Sequence, residues 1–304
     1  MEVESPGGSE SRFIRMIGLR LPMVNQGDDL AELIVEAAAE AGERIEDGDV
    51  IVVASKVVSR AKGYVVNPNE VKFGLRSRLL AWLTGREPWE IELIRRGGEL
   101  VFIMPFSKAT RGTGFPELCS VDPTEARRMV ESAGDVMLMR VRGLTLLDAG
   151  MDYSNCPEGH VCLLPPDPDA EAREIADRIE ELTGAKVGVV LSDTEFQPMK
   201  IGSIDVAVGV ANIFPIRRRF GARDYFGRPK FGGDDSVADE LAAAAALLMG
   251  QADEGIPVVL FKGVDVEFSR EASSEIWRAP SSKVVRVVAI GALKTLVAKL
   301  LRLA

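Results

Sequence analysis

Apolar and polar positions along this chain fall into blocks that predict helices and short buried strands in turn. After Gly27, Asp28 and Asp29, the residues Leu30, Leu33, Ile34 and Ala37 share one helical face, with Asp28 or Asp29 placed to cap it. Residues 50–54 form a β-branched run, read as a buried strand that ends in Ser55 and Lys56. Two helical stretches separated by Gly85 and Pro88 follow within 75–96, then a strand over 100–103. Residues 107–134 are the least regular, broken at Gly112, Gly114 and Pro116 before a helix capped near Asp122 or Thr124. The pattern over 136–147 predicts a hairpin turning at Arg142 and Gly143. An amphipathic helix over 170–183 stops at Gly184 and leads straight into another apolar strand, the order expected of an α/β unit. Further strands are expected at 206–211 and 257–261, with an Ala- and Leu-rich helix over 239–249 between them.

The strand that follows Gly184 carries the most chemistry. Its apolar run ends abruptly in Ser192, Asp193 and Thr194, which places a carboxylate and two hydroxyls where a buried strand leaves its sheet. A second apolar run is followed by Asp148, Asp152, Ser154 and Asn155. Ligands of open α/β sheets collect at the carboxyl ends of strands, and hard divalent cations take oxygen donors of this kind. Each segment alone also reads as a helix cap or a turn. Together they predict a metal-assisted site for a phosphorylated ligand.

Composition narrows the choice. Of 304 residues, 46% are hydrophobic and 27% charged, as in a globular protein with a sizeable core. A formal charge of −9 argues against a general nucleic-acid surface. The single histidine, His160, lies in a polar turn, so histidine-rich zinc sites and Ser-His-Asp triads are set aside. Cys119, Cys156 and Cys162 form no CxxC pair and leave one thiol over in any pairing, a pattern expected of a reducing cytoplasm. Residues 1–12 read as a polar, acidic, disordered tail, and no apolar span is long enough to cross a membrane. The stripe Leu293, Leu296, Val297, Leu300 and Leu301 is expected to cover a core or a neighbouring subunit. Neither a Walker-type loop nor a Gly-x-Gly-x-x-Gly opening a helix is present, so a nucleotide would need another cradle. The residues by themselves reach a metal-dependent enzyme acting on a phosphate compound.

Nine segments in register resemble the coenzyme F-420-0:L-glutamate ligase (gamma-glutamyl ligase) family. They are Gly18-Leu-Arg-Leu-Pro22 with Gly27-Asp-Asp29, Ser55-Lys-Val-Val-Ser-Arg-Ala-Lys-Gly63, Ala149-Gly-Met-Asp-Tyr-Ser-Asn155, Leu163-Leu-Pro-Pro166, Ser192-Asp-Thr194, Asp205-Val-Ala-Val-Gly209, Phe226-Gly-Arg228, Val237-Ala-Asp-Glu240 and Leu248-Met-Gly250. The resemblance implies an α+β (mixed α/β) fold of two intertwined subdomains over 13–282, with an insertion near 107–134 and an amphipathic helical extension over 283–304. It implies a cytoplasmic homodimer that joins L-glutamate to a phosphate-bearing deazaflavin carboxylate through an acyl phosphate, using GTP and Mg2+ or Mn2+, without nucleic-acid or membrane partners.

Carried over residue by residue, the resemblance assigns metal to Asp152, Asp193, Thr194 and Gln251, and catalysis to Asp152, Asp193 and Lys56. GTP would lie against Leu21, Pro22, Met23 and Val24, against Ser55, Lys56, Arg60 and Asn155, and along Leu247, Leu248, Met249, Gly250, Gln251, Ala252, Asp253 and Glu254. Most departures fall elsewhere. Where the family usually carries Gly-Arg and a further arginine, this chain has Phe196, Gln197 and Lys200, and glutamine lacks arginine's bidentate grip on an anion. Asp148 stands where asparagine is usual, adding negative charge near the metal, and Arg60 and Tyr64 replace lysine and arginine. Two further readings stay open: a related ligase with a different acceptor, and a nucleotide-binding protein without catalysis.

Overall fold

The computed structural model describes residues 13–110, 114, 117–196, 202–277 and 281–300. The sequence-based expectations for Gln197, Lys200, Leu301 and the tail over 1–12 lie outside the described residues. In chain order the elements are β1 (Arg15–Leu19), α1 (Leu30–Glu40), β2 (Val50–Ala54), α2 (Ser55–Lys62), β3 (Val65–Val66), α3 (Leu75–Thr84), α4 (Pro88–Gly97), β4 (Glu99–Met104), α5 (Phe106–Thr110) and α6 (Pro123–Ser132). The chain continues with β5 (Val136–Val141), β6 (Leu144–Leu147), β7 (Val161–Cys162), α7 (Pro168–Thr183), β8 (Gly188–Phe196), β9 (Ser203–Ala211), α8 (Val237–Met249), β10 (Val258–Lys262) and α9 (Ser281–Leu300).

The main sheet has the order β1-β10-β2-β8-β9, with β2 and β8 parallel and the other neighbours antiparallel. A three-stranded sheet, β4-β5-β6, and a short β3-β7 ladder stand beside it, so the fold is α+β. Period-two alternation explains the layering. Ile51, Val53, Val189, Leu191 and Leu260 face α1 and α7, whereas Val50, Val52, Val190 and Phe261 face α8. Met137, Met139 and Leu146 of the smaller sheet join the first of these cores.

Local chemistry sets the helix boundaries. Asp29 accepts from the amides of Ala31 and Glu32, each at 3.1 Å, and so caps α1. Pro168 opens α7, and Asp169 accepts from the Val210 amide of β9 at 2.9 Å, which docks the start of that helix on the sheet. A Cβ on Gly209 would lie 2.5 Å from the Pro168 carbonyl carbon, so only glycine lets the helix approach this closely. Next to Gly209 a bulge shifts the β8–β9 register between Leu191 and Ser192, immediately before Asp193.

Two expectations are corrected. Strand β8 does not stop at Thr194 but runs to Phe196; what ends there is its parallel partner, the last pair being Ala54 with Ser192. Cys156 and Cys162 are bonded, with Cα atoms 6.0 Å apart, because an antiparallel bridge pairs Asp152 with Cys162 and folds the intervening turn back; Cys119 is free and exposed. Among the described residues nothing covers the stripe of α9: Leu293, Leu296, Val297 and Leu300 are exposed. Among the described residues no helix is long and apolar enough to cross a membrane.

Candidate functional site

The parallel pair β2–β8 delivers two polar strand ends to one place. Its carboxyl end opens into a cavity of about 770 Å³, walled also by the segment after β1, the turn after β6 and the loop after α8. This is where open-sheet ligands gather. Asp152 and Asp193, forty-one positions apart in sequence, both line it. Ser55 at the start of α2 donates to Asp193 Oδ1 at 3.2 Å. Lys56 Nζ lies 2.6 Å from Asp152 Oδ2 and donates to Ser154 Oγ at 2.6 Å. Asp152 in turn accepts from the Ser154 amide at 2.8 Å, which shapes the turn around it.

The two carboxylates feel one another. Burial, and then the Asp152 charge, push the Asp193 carboxyl up to about 7, against the pull of Ser55, the Thr194 amide and Lys56. Lys56 offsets the charge of Asp152, whereas Asp193 is met by the neutral Ser55 hydroxyl. Thr194 and Gln251 add neutral oxygens on the same cavity wall, and a Cβ on Gly150 would sit 3.2 Å from Asp193 Oδ2. Among the described residues no cluster of three or more His, Cys, Asp or Glu side chains could hold a metal. Two carboxylates with neutral oxygens beside them nevertheless fit one divalent cation of the hard class.

Most of the expected nucleotide residues share this cavity. Leu21, Pro22, Met23, Val24, Ser55, Lys56, Arg60, Asn155, Met249, Gly250, Gln251, Ala252, Asp253 and Glu254 all line it. Asn155, at φ 52°, donates from Nδ2 to the Ala252 carbonyl at 2.8 Å, and Arg60 donates to the Asn155 carbonyl at 3.1 Å. These bonds draw the turn after Asp152 and the loop after α8 onto α2. The Arg60 Nε is buried without a partner, a donor left over for a ligand. Leu247 and Leu248 do not line the cavity. They lie on the last turn of α8, Leu247 at 82% exposure to solvent and Leu248 against the second core, so only its end reaches the site.

Several residues escaped the sequence reading. Asp205 of β9 accepts from Thr194 Oγ1 at 2.8 Å and from Gln251 Nε2 at 3.1 Å, so it orients both of these oxygen donors. An aspartate two positions into an apolar strand was the available signal. Glu195, two positions past Asp193 and therefore on the same strand face, accepts the Leu147 amide at 3.1 and 3.2 Å. Burial first, then Asp193 and Asp148, push its carboxyl up to about 8. The charge that Asp148 brings near the site is paired: Arg86 Nη1 meets its Oδ2 at 2.6 Å. At the opposite end the cavity is apolar, with Met104, Phe106, Val136 and Phe196 on its wall and the Phe106 and Phe196 rings edge to face at 5.8 Å.

Comparison with known proteins joins this geometry to a family. The family described as F420-0:gamma-glutamyl ligase matches residues 18–263, which contain every residue of the cavity wall. A protein named coenzyme F420:L-glutamate ligase from Methanothermobacter thermautotrophicus is 37% identical over 252 residues, 82% of this chain and 89% of the relative. Its namesake from Methanopyrus kandleri is 36% identical over 268 residues, 86% and 93% of the two chains. Another, from Methanocaldococcus jannaschii, is 31% identical over 280 residues, 91% and 98% of the two. With most of its length matched in this way, the chain belongs to the F420-0:gamma-glutamyl ligase family and is a ligase.

Proposed function

We propose that this ligase uses GTP and a divalent cation to join L-glutamate to a carboxylate of the deazaflavin coenzyme F420 precursor, through an acyl phosphate. The observation that carries this reading is the convergence of Asp152 and Asp193 in one cavity with Lys56 and Arg60. The names of the relatives support the glutamate and the coenzyme. A divalent cation between the two aspartates would screen phosphate oxygens and lower the barrier to phosphoryl transfer. Lys56 and Arg60 offer positive charge and donors to a polyphosphate from the floor of the cavity. Ser55 fixes the Asp193 carboxylate, and Asp205 fixes Thr194 and Gln251, so little reorganisation is left for the reaction itself. The apolar end keeps water from an acyl phosphate that would otherwise hydrolyse.

A homodimer fits this reading. Phe220, Tyr225, Phe226 and Phe231 are all exposed on the segment between β9 and α8, an apolar surface of the kind that a second copy covers. The same segment carries Arg217, Arg218, Arg219, Arg223, Arg228 and Lys230.

Phe196, packed edge to face against Phe106 where the family usually has glycine, favours a second reading in which the acceptor differs. Purified protein given GTP, manganese, L-glutamate and the deazaflavin precursor is expected to release GDP and phosphate and to form a glutamylated product. GDP formed only with some other carboxylic acid would select the second reading. Nucleotide binding without GDP release under any acceptor would overturn both.

A further inference from the structure

Three consecutive residues between β6 and Asp152 have left-handed backbones: Asp148 at φ 46°, Ala149 at 58° and Gly150 at 72°. Runs of this kind are costly for residues with a Cβ and persist only where the surroundings hold them. The reversal serves the site directly. Its Gly150 lies against the Asp193 carboxylate, and its next-but-one residue is Asp152.

What holds it comes from the α3–α4 connection. Arg86, whose side chain is only 9% exposed, donates to Asp148 Oδ2 at 2.6 Å and to Glu90 Oε2 at 3.1 Å. Although burial works against its charge, Asp148 and Glu90 hold the guanidinium firmly in its charged form. The other Asp148 oxygen accepts the Met137 amide at 3.0 Å. Glu90 carries the grip onward, because Tyr153 donates to its Oε1 while the Tyr153 ring packs edge-on against Trp89, with centroids 6.3 Å apart. One arginine thus ties down Asp148 directly and Tyr153 through Glu90, on either side of Asp152.

We propose that Arg86, acting through Asp148 and through Glu90–Tyr153, is a positioning residue that sets Asp152 opposite Asp193. The inference rests on the reading of those two aspartates as cation ligands. Arg86 acts on Asp152 and Asp193 through its neighbours; its planar fork reaches the Asp148 and Glu90 carboxylates at once, which the point charge of lysine cannot do.

Two mild variants of the full chain, Arg86→Lys and Tyr153→Phe, separate positioning from folding. The probe is Mn2+ alone, with affinity read by electron paramagnetic resonance of the free ion and stability by thermal melting. Outer groups that orient metal ligands typically set affinity by about 10- to 100-fold, so each variant is expected to lose roughly tenfold or more while its melting temperature stays close to the parent's. In turnover, KM for manganese rises, KM for GTP does not, and saturating manganese restores kcat. Mn2+ affinities in both variants equal to the parent's would overturn the proposal. Should Arg86→Lys not fold, Tyr153→Phe decides by the same criterion. A parent chain that binds no Mn2+ would overturn the cation reading itself, a different result from a parent that binds and variants that bind equally well.

Discussion

Asp193→Asn is expected to lower turnover by about 100- to 1,000-fold, the scale on which removing one well-placed electrostatic partner slows an enzyme. The substitution keeps the shape of the side chain and one oxygen for Ser55, so the cavity remains built. What disappears is the negative charge that burial and Asp152 already make costly. The same change therefore predicts a melting temperature, measured without metal, equal to the parent's or above it. Loss of activity together with retained or raised stability marks a group kept for function at the expense of folding. GDP release at saturating GTP, read beside a melting curve, checks both halves. An Asn variant that turns over like the parent would remove Asp193 from the mechanism.

The second large effect concerns stability. Gly209→Ala places a methyl group 2.5 Å from the Pro168 carbonyl carbon and 2.6 Å from its oxygen, and the obstacle is backbone, which cannot rotate away. Either α7 lifts from the sheet or β9 shifts. Lifting the helix strains the Asp169 bond to the Val210 amide. Shifting the strand disturbs the bulge that precedes Asp193. Overpacking of this kind costs about 1–3 kcal/mol, and a backbone obstacle belongs at the upper end of that range. For a chain of this size the midpoint should fall by several degrees, at roughly 2–4 °C per kcal/mol. Thermal melting checks this, and an unchanged midpoint would show that α7 and β9 are free to separate. The strand shift adds a second expectation, a weaker cation site in the folded fraction.

The elements were legible because their signals are local. Asp29 caps α1, Gly184 ends α7 and Gly250 ends α8, each visible as a residue type at the end of a periodic run. The meeting of Asp152 with Asp193 was legible for a related reason. Apolar runs that stop in oxygen-bearing residues marked both segments, although only Asp193 lies on the parallel β2–β8 pair; Asp152 reaches the same cavity from the turn after the antiparallel β6.

What could not be read depends on contacts between distant positions. Arg86 sits sixty-two residues before Asp148 and looks like an ordinary basic residue in a turn between helices. Nothing in the sequence pairs them, so Asp148 read as surplus negative charge. Pairing of Cys156 with Cys162 likewise follows from the bridge that folds Cys162 back on Asp152, which spacing alone does not encode. Leu247 and Leu248 were assigned with their neighbours as one segment. Helical periodicity, which turns successive side chains by about 100°, separates them from the cavity. The stripe on α9 illustrates the opposite limit: its period predicts a covered face and says nothing of what covers it.

Crystals grown with a GTP analogue and manganese, with anomalous scattering recorded at the manganese edge, test the central claim most directly. The expected result is one strong peak at coordination distance from a carboxylate oxygen of Asp152 and from one of Asp193, beside the phosphates. A nucleotide bound in the cavity with no ion joining these two side chains would contradict it.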